Sequence, residues 1–439
     1  LLLVGGLAVS VTLWTRAEGQ RKRAEREEAN ARAAYGKADE QRRAAEREAV
    51  IAKAATSRAE DQRKIADREM SKVKAAYTFV NDMFGAVDPA MAKGREVTVR
   101  EVLDSAAGRI DGSLVAQPEV EGTVRHAIGV AYFHIGRYAQ AETNLKRALE
   151  LQEKDLGPEH PETLSTVHDL AAAVLSQDRN EEAVKLARRA ADGREKVLGA
   201  GHKDTLASKS FLAYAVQVAG DLAGAEKLIR EVVQEQTASL GSSHRDTIES
   251  RSSLADVLQD LGKLDEAATV AAALVSDSAA ALGEDDTLTI QARSIYASIL
   301  GSLGKDAQAE PVIRAVVEPK RRIYGADHSS TLVSENVLAE RLQYMDRLAE
   351  AETLRRSIVE RATATLGADH ASTLIYTNNL AQVLRNEGKL DEAEPLYRRV
   401  LDARMKSQGP QGRDTLSGMV NLGILLQQRK KPEEALAML

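Results

Sequence analysis

Cysteine is missing from all 439 residues. Its absence excludes disulfides, thiolate metal sites and a cysteine nucleophile, and fits either side of a membrane. Other scarcities point to helix: there are only four Phe, one Trp and nine Pro, against abundant Ala, Leu, Glu, Arg and Gln. An all-helical protein is expected, and the length suits several domains or one extended array better than a single core. A basic patch is also lacking. The net charge is −6, and residues 16–75 hold 17 Lys or Arg against 12 Asp or Glu, which leaves the remainder near −11. Such a body has no electrostatic footprint for nucleic acid.

Catalytic signatures are missing as well: there is no G-x-S-x-G, P-loop or H-E-x-x-H. The "HRD" at His244 to Asp246 resembles a kinase catalytic loop, but the Asn required five residues after the Asp is Arg251. Neither catalysis nor a cofactor is expected of this chain.

No apolar run is long. Leu1 to Trp14, "LLLVGGLAVSVTLW", is uncharged but short of the about 20 residues that cross ~30 Å of hydrocarbon. It has neither the basic start nor the cleavage site of a signal peptide. Residues 1–15 read as the second half of a truncated transmembrane helix with Trp14 at the interface, so a single-pass membrane protein is expected. Arg16, Arg21, Lys22 and Arg23 would place the downstream residues in the cytoplasm by the positive-inside rule.

Residues 16–75 contain no Pro, and Ala17, Ala24, Ala31, Ala38, Ala45, Ala52, Ala59 and Ala66 fall every seventh residue. The second seam position is mostly Gln, Glu or Arg. This is a charged helical stalk or a weak coiled coil, and the latter would allow a weak homodimer. Residues 76–120 read as a helical cap: Tyr77, Phe79, Val80, Met83 and Phe84 precede a Gly and Pro break, and Thr98 with Glu101 form a capping-box pattern.

The remainder is periodic. "LGPEHPETL" at Leu156 returns as "LGAGHKDTL", "LGSSHRDTI", "YGADHSSTL" and "LGADHASTL", and its Gly recurs at 157, 199, 241, 283, 325, 367 and 409, a step of 42. Thr follows six residues later each time, at 163, 205, 247, 289, 331, 373 and 415. The Gly predicts a helix C-cap and the Thr the next N-cap. The His at 160, 202, 244, 328 and 370 is replaced by Asp286 and Gly412 in two copies. Equivalent residues of stacked repeats lie about 20 Å apart, two helix widths, far beyond a shared ion, so no metal is expected. Apolar residues at seven, eight and eleven past the Thr build one buried face. A second helix opens with Ala at 141, 183, 225, 267, 309, 351, 393 or 435, which implies close helix packing.

These residues resemble the tetratricopeptide repeat: "IGVAYFHIGRYAQAETNLKRAL" places Gly129, Tyr132, Ala141, Leu145 and Ala148 at that motif's positions. The 42-residue period is similar to the kinesin-light-chain type. The resemblance implies a right-handed α-solenoid over residues 121–439, eight helix pairs with the last truncated, whose first helices line a concave groove for a peptide or protein partner. The layout as a whole resembles the C-terminal region of bacterial transmembrane serine/threonine protein kinases. That likeness implies a sensing module outside the membrane; a free-standing scaffold or adaptor is the alternative.

On each first helix, positions two, six, nine and thirteen after the Thr share a face away from the core. The groove residues expected from that stripe are Phe211, Tyr214, Asp256, Asp260, Asn379, Gln382, Asn386 and Asn421. In kinesin-light-chain-like repeats an Asn at the sixth position holds a partner's backbone. Here only Asn379 and Asn421 match, and Asp169, Phe211, Ser253, Ile295 and Val337 depart from the pattern.

Overall fold

The computed structural model describes residues 2–85, 98–114 and 117–438, and among these residues there are only helices and no strand. Two units are distinguished, Leu1–Val124 and Arg125–Leu439. In the first, α1 runs Leu2–Gly85 and α2 runs Val99–Ser113; α3 (Pro118–His134) passes the boundary. Helix pairs follow: α3 with α4 (Tyr138–Asp155), α5 (Pro161–Leu175) with α6 (Asn180–Leu198), and α7 (Lys203–Val218) with α8 (Leu222–Leu240), after which the next pair opens with α9 (Arg245–Asp260). Then come α10 (Leu264–Leu282), α11 (Thr287–Ser302), α12 (Asp306–Tyr324), α13 (Ser329–Tyr344) and α14 (Leu348–Leu366). The last are α15 (Ala371–Asn386), α16 (Leu390–Gln408), α17 (Arg413–Gln428) and α18 (Pro432–Met438). From α3 onward odd numbers are first helices of a repeat and even numbers second helices.

The charged helix is present as α1. Its Ala, Arg and Glu content favours helix, and exposed pairs such as Arg21–Glu25 at 3.0 Å and Arg43–Asp39 at 2.9 Å add tenths of a kcal/mol each. The membrane expectation is corrected. Among the described residues no helix is long and apolar enough to cross a membrane, because charge begins at Arg16 and the apolar start of α1 is too short for the hydrocarbon. The capping box at α2 is formed: the Glu101 amide donates to Thr98 Oγ1 at 3.3 Å and the Thr98 amide to Glu101 Oε2 at 3.0 Å. The Gly and Pro break read from the sequence falls on residues 86–97, outside the described residues, as do the side chains of Tyr77, Phe79, Val80, Met83 and Phe84.

In the second unit each helix packs on its neighbours in the chain, the pattern of a solenoid. One apolar cluster runs through Leu206, Ile229, Leu254, Leu258, Ala267, Ala271 and Ile299, from α7 to α11, so successive hairpins bury a shared core. The expected close contacts occur at the Ala positions: Ala141, Ala183, Ala225, Ala267, Ala309, Ala351 and Ala393 are fully buried. A Cβ on Gly129 would meet Leu145 Cγ at 2.6 Å, so the first pair approaches as closely.

The linker is built differently from its sequence reading. Thr is not the N-cap. The His is: Glu162, Asp204, Asp246, Ser330 and Ser372 amides donate to the Nδ1 of His160, His202, His244, His328 and His370 at 3.2–3.3 Å. Asp286 takes the same place with its carboxylate, accepting from the Leu288 amide at 2.8 Å. The Thr lies inside the first turn, fully buried, where Thr163 and Thr331 donate to the carbonyls of Gly157 and Gly325 at 2.9 Å. The Gly is also more demanding than a left-handed cap, since Gly199, Gly241 and Gly325 have φ of 91–93° and ψ of 158–159°. That region is open essentially to glycine alone.

A ladder of carboxylates ties the second helices. Glu142 meets Arg179 at 2.5 Å, Glu226 meets Lys263 at 2.7 Å, Glu310 meets Arg347 at 3.2 Å and Glu352 meets Lys389 at 2.6 Å. Hydrogen bonds from Arg179 and Lys389 hold Glu142 and Glu352 down to about 2. The cap assignment has a direct test. His244→Ala should cost about 1 kcal/mol and lower the urea midpoint, while His244→Asp should retain it as Asp286 does; a silent alanine would remove the His from the cap.

Candidate functional site

Counting from the buried Thr, positions seven, eight and eleven of each first helix enter the core, as Leu212, Ala213 and Val216 do in α7. Two flanks remain. Position five of one first helix meets position six of the next, 43 residues on. His126 Nε2 lies 2.6 Å from Asp169 Oδ2, the His168 and Phe211 rings are 4.9 Å apart, and Asn379 and Asn421 Nδ2 donate to Asn336 and Asn378 Oδ1 at 3.1 and 3.2 Å. Two turns further, position twelve meets thirteen: Gln217 Nε2 donates to Asp260 Oδ2 at 2.7 Å and Gln259 Nε2 to Ser302 Oγ at 3.2 Å. These rungs zip neighbouring first helices, because residues seven apart lie on one helical face.

Of the eight residues expected on the face, four are thus rungs: Phe211, Asp260, Asn379 and Asn421. Tyr214 is 55% exposed, Asn386 is exposed, and Asp256 and Gln382 are half-buried. The structure brings them together in two groups, on the neighbouring helices α7 and α9 and on α15 and α17. Between the groups lie α11 and α13. Asn379 has its donor engaged by Asn336, so its amide does not present both halves to a ligand.

Sequence reasoning passed over several outward side chains. Val333, Tyr344, Val420 and Ile424 are 52%, 65%, 46% and 41% exposed, beside Ile375 at 48%. The signal was available for Val333, Tyr344 and Ile424, which occupy positions two, thirteen and nine of the expected stripe, whereas Val420 stands at position five, outside it. Between α11 and α13 the rung positions carry Ser294 with Val337 and Gly301 with Tyr344, which cannot pair. A cleft of about 470 Å³ opens there, lined by Ser294, Ser298, Lys320, Val333, Val337 and Tyr344. Arg341 crosses its floor, donating from Nη1 to Asp306 at 2.9 Å, with its guanidinium carbon 5.1 Å from the Tyr344 ring centroid. Lys320 donates to Ser334 at 2.9 Å, and burial lowers its pKa.

Residues 121–196, 330–404 and 372–439 match the family model described as a tetratricopeptide repeat, and residues 248–273 match a second of that description. The chain carries tetratricopeptide repeats. No curated protein matches it. Among solved structures it is similar to the nearly identical TPR-like repeats of a Podosopora anserina kinesin light chain, at 26% identity over 57% of this chain and 99% of that one, with a TM-score of 0.34. It is similar in fold to the apo quorum sensor NprR from B. thuringiensis, at 14% identity over 84% and 97% and a TM-score of 0.56. A Rap protein complexed with competence and sporulation factor matches at 13% over 83% and 88%, with a TM-score of 0.45.

Electrostatics on the face is strongest at Asp256, whose carboxyl is pushed up to about 6 by burial and by neighbouring Asp260. The folded chain therefore holds a proton there that the unfolded chain releases near pH 4, so this contribution to stability is present below pH 4 and lost as pH rises through 6. Asp256→Asn should raise unfolding free energy at pH 8 by on the order of 1 kcal/mol and leave it unchanged at pH 4. Urea unfolding at the two pH values checks this; an equal gain at both would refute the burial argument.

Proposed function

We propose that the tetratricopeptide repeats form a protein-interaction module that receives an extended peptide or a partner helix along the outward face of its first helices. One observation carries the reading. Val333, Tyr344, Ile375, Val420 and Ile424 are exposed on successive first helices, whereas apolar residues scattered singly would need no explanation. Half-buried Gln382 and exposed Asn386 stand among them with amide donors and acceptors. The fold shared with a quorum sensor supports a sensing or recognition role. Service to an attached serine/threonine kinase domain is a finer reading that rests on the sequence layout alone, and a free-standing scaffold would use the same face.

Panning a random peptide library on the full chain tests this. Selected peptides should lose about tenfold or more in affinity on Ile375→Glu or Val333→Glu, as an unpaired charge is forced into an apolar contact. Glu360→Ala, on an exposed second-helix position, should leave binding unchanged. Peptides indifferent to both face variants would overturn the assignment.

A further inference from the structure

The junction of α13, α14, α15 and α16 buries more positive charge than it pairs. Arg355 on α14 is 3% exposed, yet it makes no ion pair, and its Nε and Nη1 have no hydrogen-bond partner among the described residues. Arg385 on α15 is half-buried, with Nε and Nη1 likewise unmatched. Tyr397 on α16 is 1% exposed, its hydroxyl has no partner, and it feels the charges of both guanidinium groups. Guanidinium N–H donors and one hydroxyl on three successive helices are therefore buried without an acceptor, near enough for their charges to act on one another. A buried donor left unmatched costs about 1–3 kcal/mol, and more when charged, so such a cluster persists where something else satisfies it.

The fold itself does not require these groups. At the position of Arg355, four residues past the repeating Ala, the earlier repeats carry Leu145, Ala187, Ile229, Ala271 and Ile313. An aliphatic side chain fills that site in five repeats, and a guanidinium stands there in the sixth. The carboxylate that acts most on Arg355 is Glu340, but Glu340 is bound to Arg341 at 2.9 Å. Burial accordingly pushes the Arg355 guanidinium down to about 10. Arg355 also feels Tyr344, which is 65% exposed on the first-helix face, so the cluster borders the surface where a ligand would lie.

We propose that Arg355, Arg385 and Tyr397, on the successive helices α14, α15 and α16, form a receptor for one oxyanion, a carboxylate or a phosphate monoester. Planar guanidinium groups suit such oxygens because they donate in parallel pairs. That a peptide brings the oxyanion rests on the proposed role of the first-helix face; the binding of the oxyanion does not.

The test uses the full chain at pH 7, with inorganic phosphate and acetate as probes against chloride at matched ionic strength, read by calorimetry and thermal midpoint. The chain should bind phosphate saturably with a rise in Tm, and Tyr397→Phe, which deletes only an unmatched hydroxyl, should weaken binding roughly threefold to tenfold. Arg355→Met should abolish binding yet match or exceed the parent Tm in chloride, since it removes an uncompensated charge. A Tm rise with acetate equal to that with phosphate assigns a carboxylate carrier; a rise with phosphate alone assigns a phosphorylated one. No response to either anion, an undiminished response in both variants, or a lower chloride Tm for Arg355→Met would overturn the proposal. Failure here with intact peptide binding on the face would leave the interaction reading standing, and the reverse result would separate the two in the opposite sense.

Discussion

The close approach of the two helices of each hairpin at one small side chain per repeat governs the array. Ala183, Ala225, Ala267, Ala309, Ala351 and Ala393 have no exposed surface, and in the first hairpin the Ala141 carbonyl comes within 3.2 Å of where a Cβ on Gly129 would stand, so this contact sets how closely a second helix lies on its first helix. Once that spacing is set, the other contacts are arithmetic along the helices. The core closes at positions seven, eight and eleven, the rungs meet 43 residues apart, and the carboxylates of Glu142, Glu226 and Glu352 find cations on the following turn. Packing at this density tolerates volume poorly in either direction.

The architecture was legible because it repeats. A Gly that only an extended positive-φ backbone can use, an Ala that nothing larger can replace and an apolar triplet at helical spacing each carry a physical requirement in their residue type. The linker roles were less legible. Thr at the start of a helix suggests a cap, and a His does not, yet the imidazole nitrogen reaches the amide two residues on while the Thr turns inward, its hydroxyl meeting the Gly carbonyl at Thr163 and Thr331. Asp286 was the usable signal: a residue that replaces His without loss must do the same job, and for Asp at a helix start that job is capping.

The face was legible in outline only. Helical periodicity separates outward from inward positions, but it does not reveal lateral neighbours, and position six proved to be a seam between first helices. Asn379 and Asn421 therefore serve the stack before any ligand. Complementary pairs 43 residues apart, His126 with Asp169 and Asn336 with Asn379, would have exposed the seam from sequence. Arg355 was invisible for another reason, since a charged side chain in a helix reads as solvated unless its equivalents in other repeats are compared. The apolar start of α1 failed as a membrane signal on length alone.

The register of the stack is most directly measured by the urea midpoint of Ala267→Leu compared with that of the parent chain. The account predicts a loss of about 1–3 kcal/mol, from overpacking against a neighbour that has no room to yield. An unchanged or raised midpoint would contradict it, because the two helices of the hairpin would then stand too far apart for this contact to set their spacing.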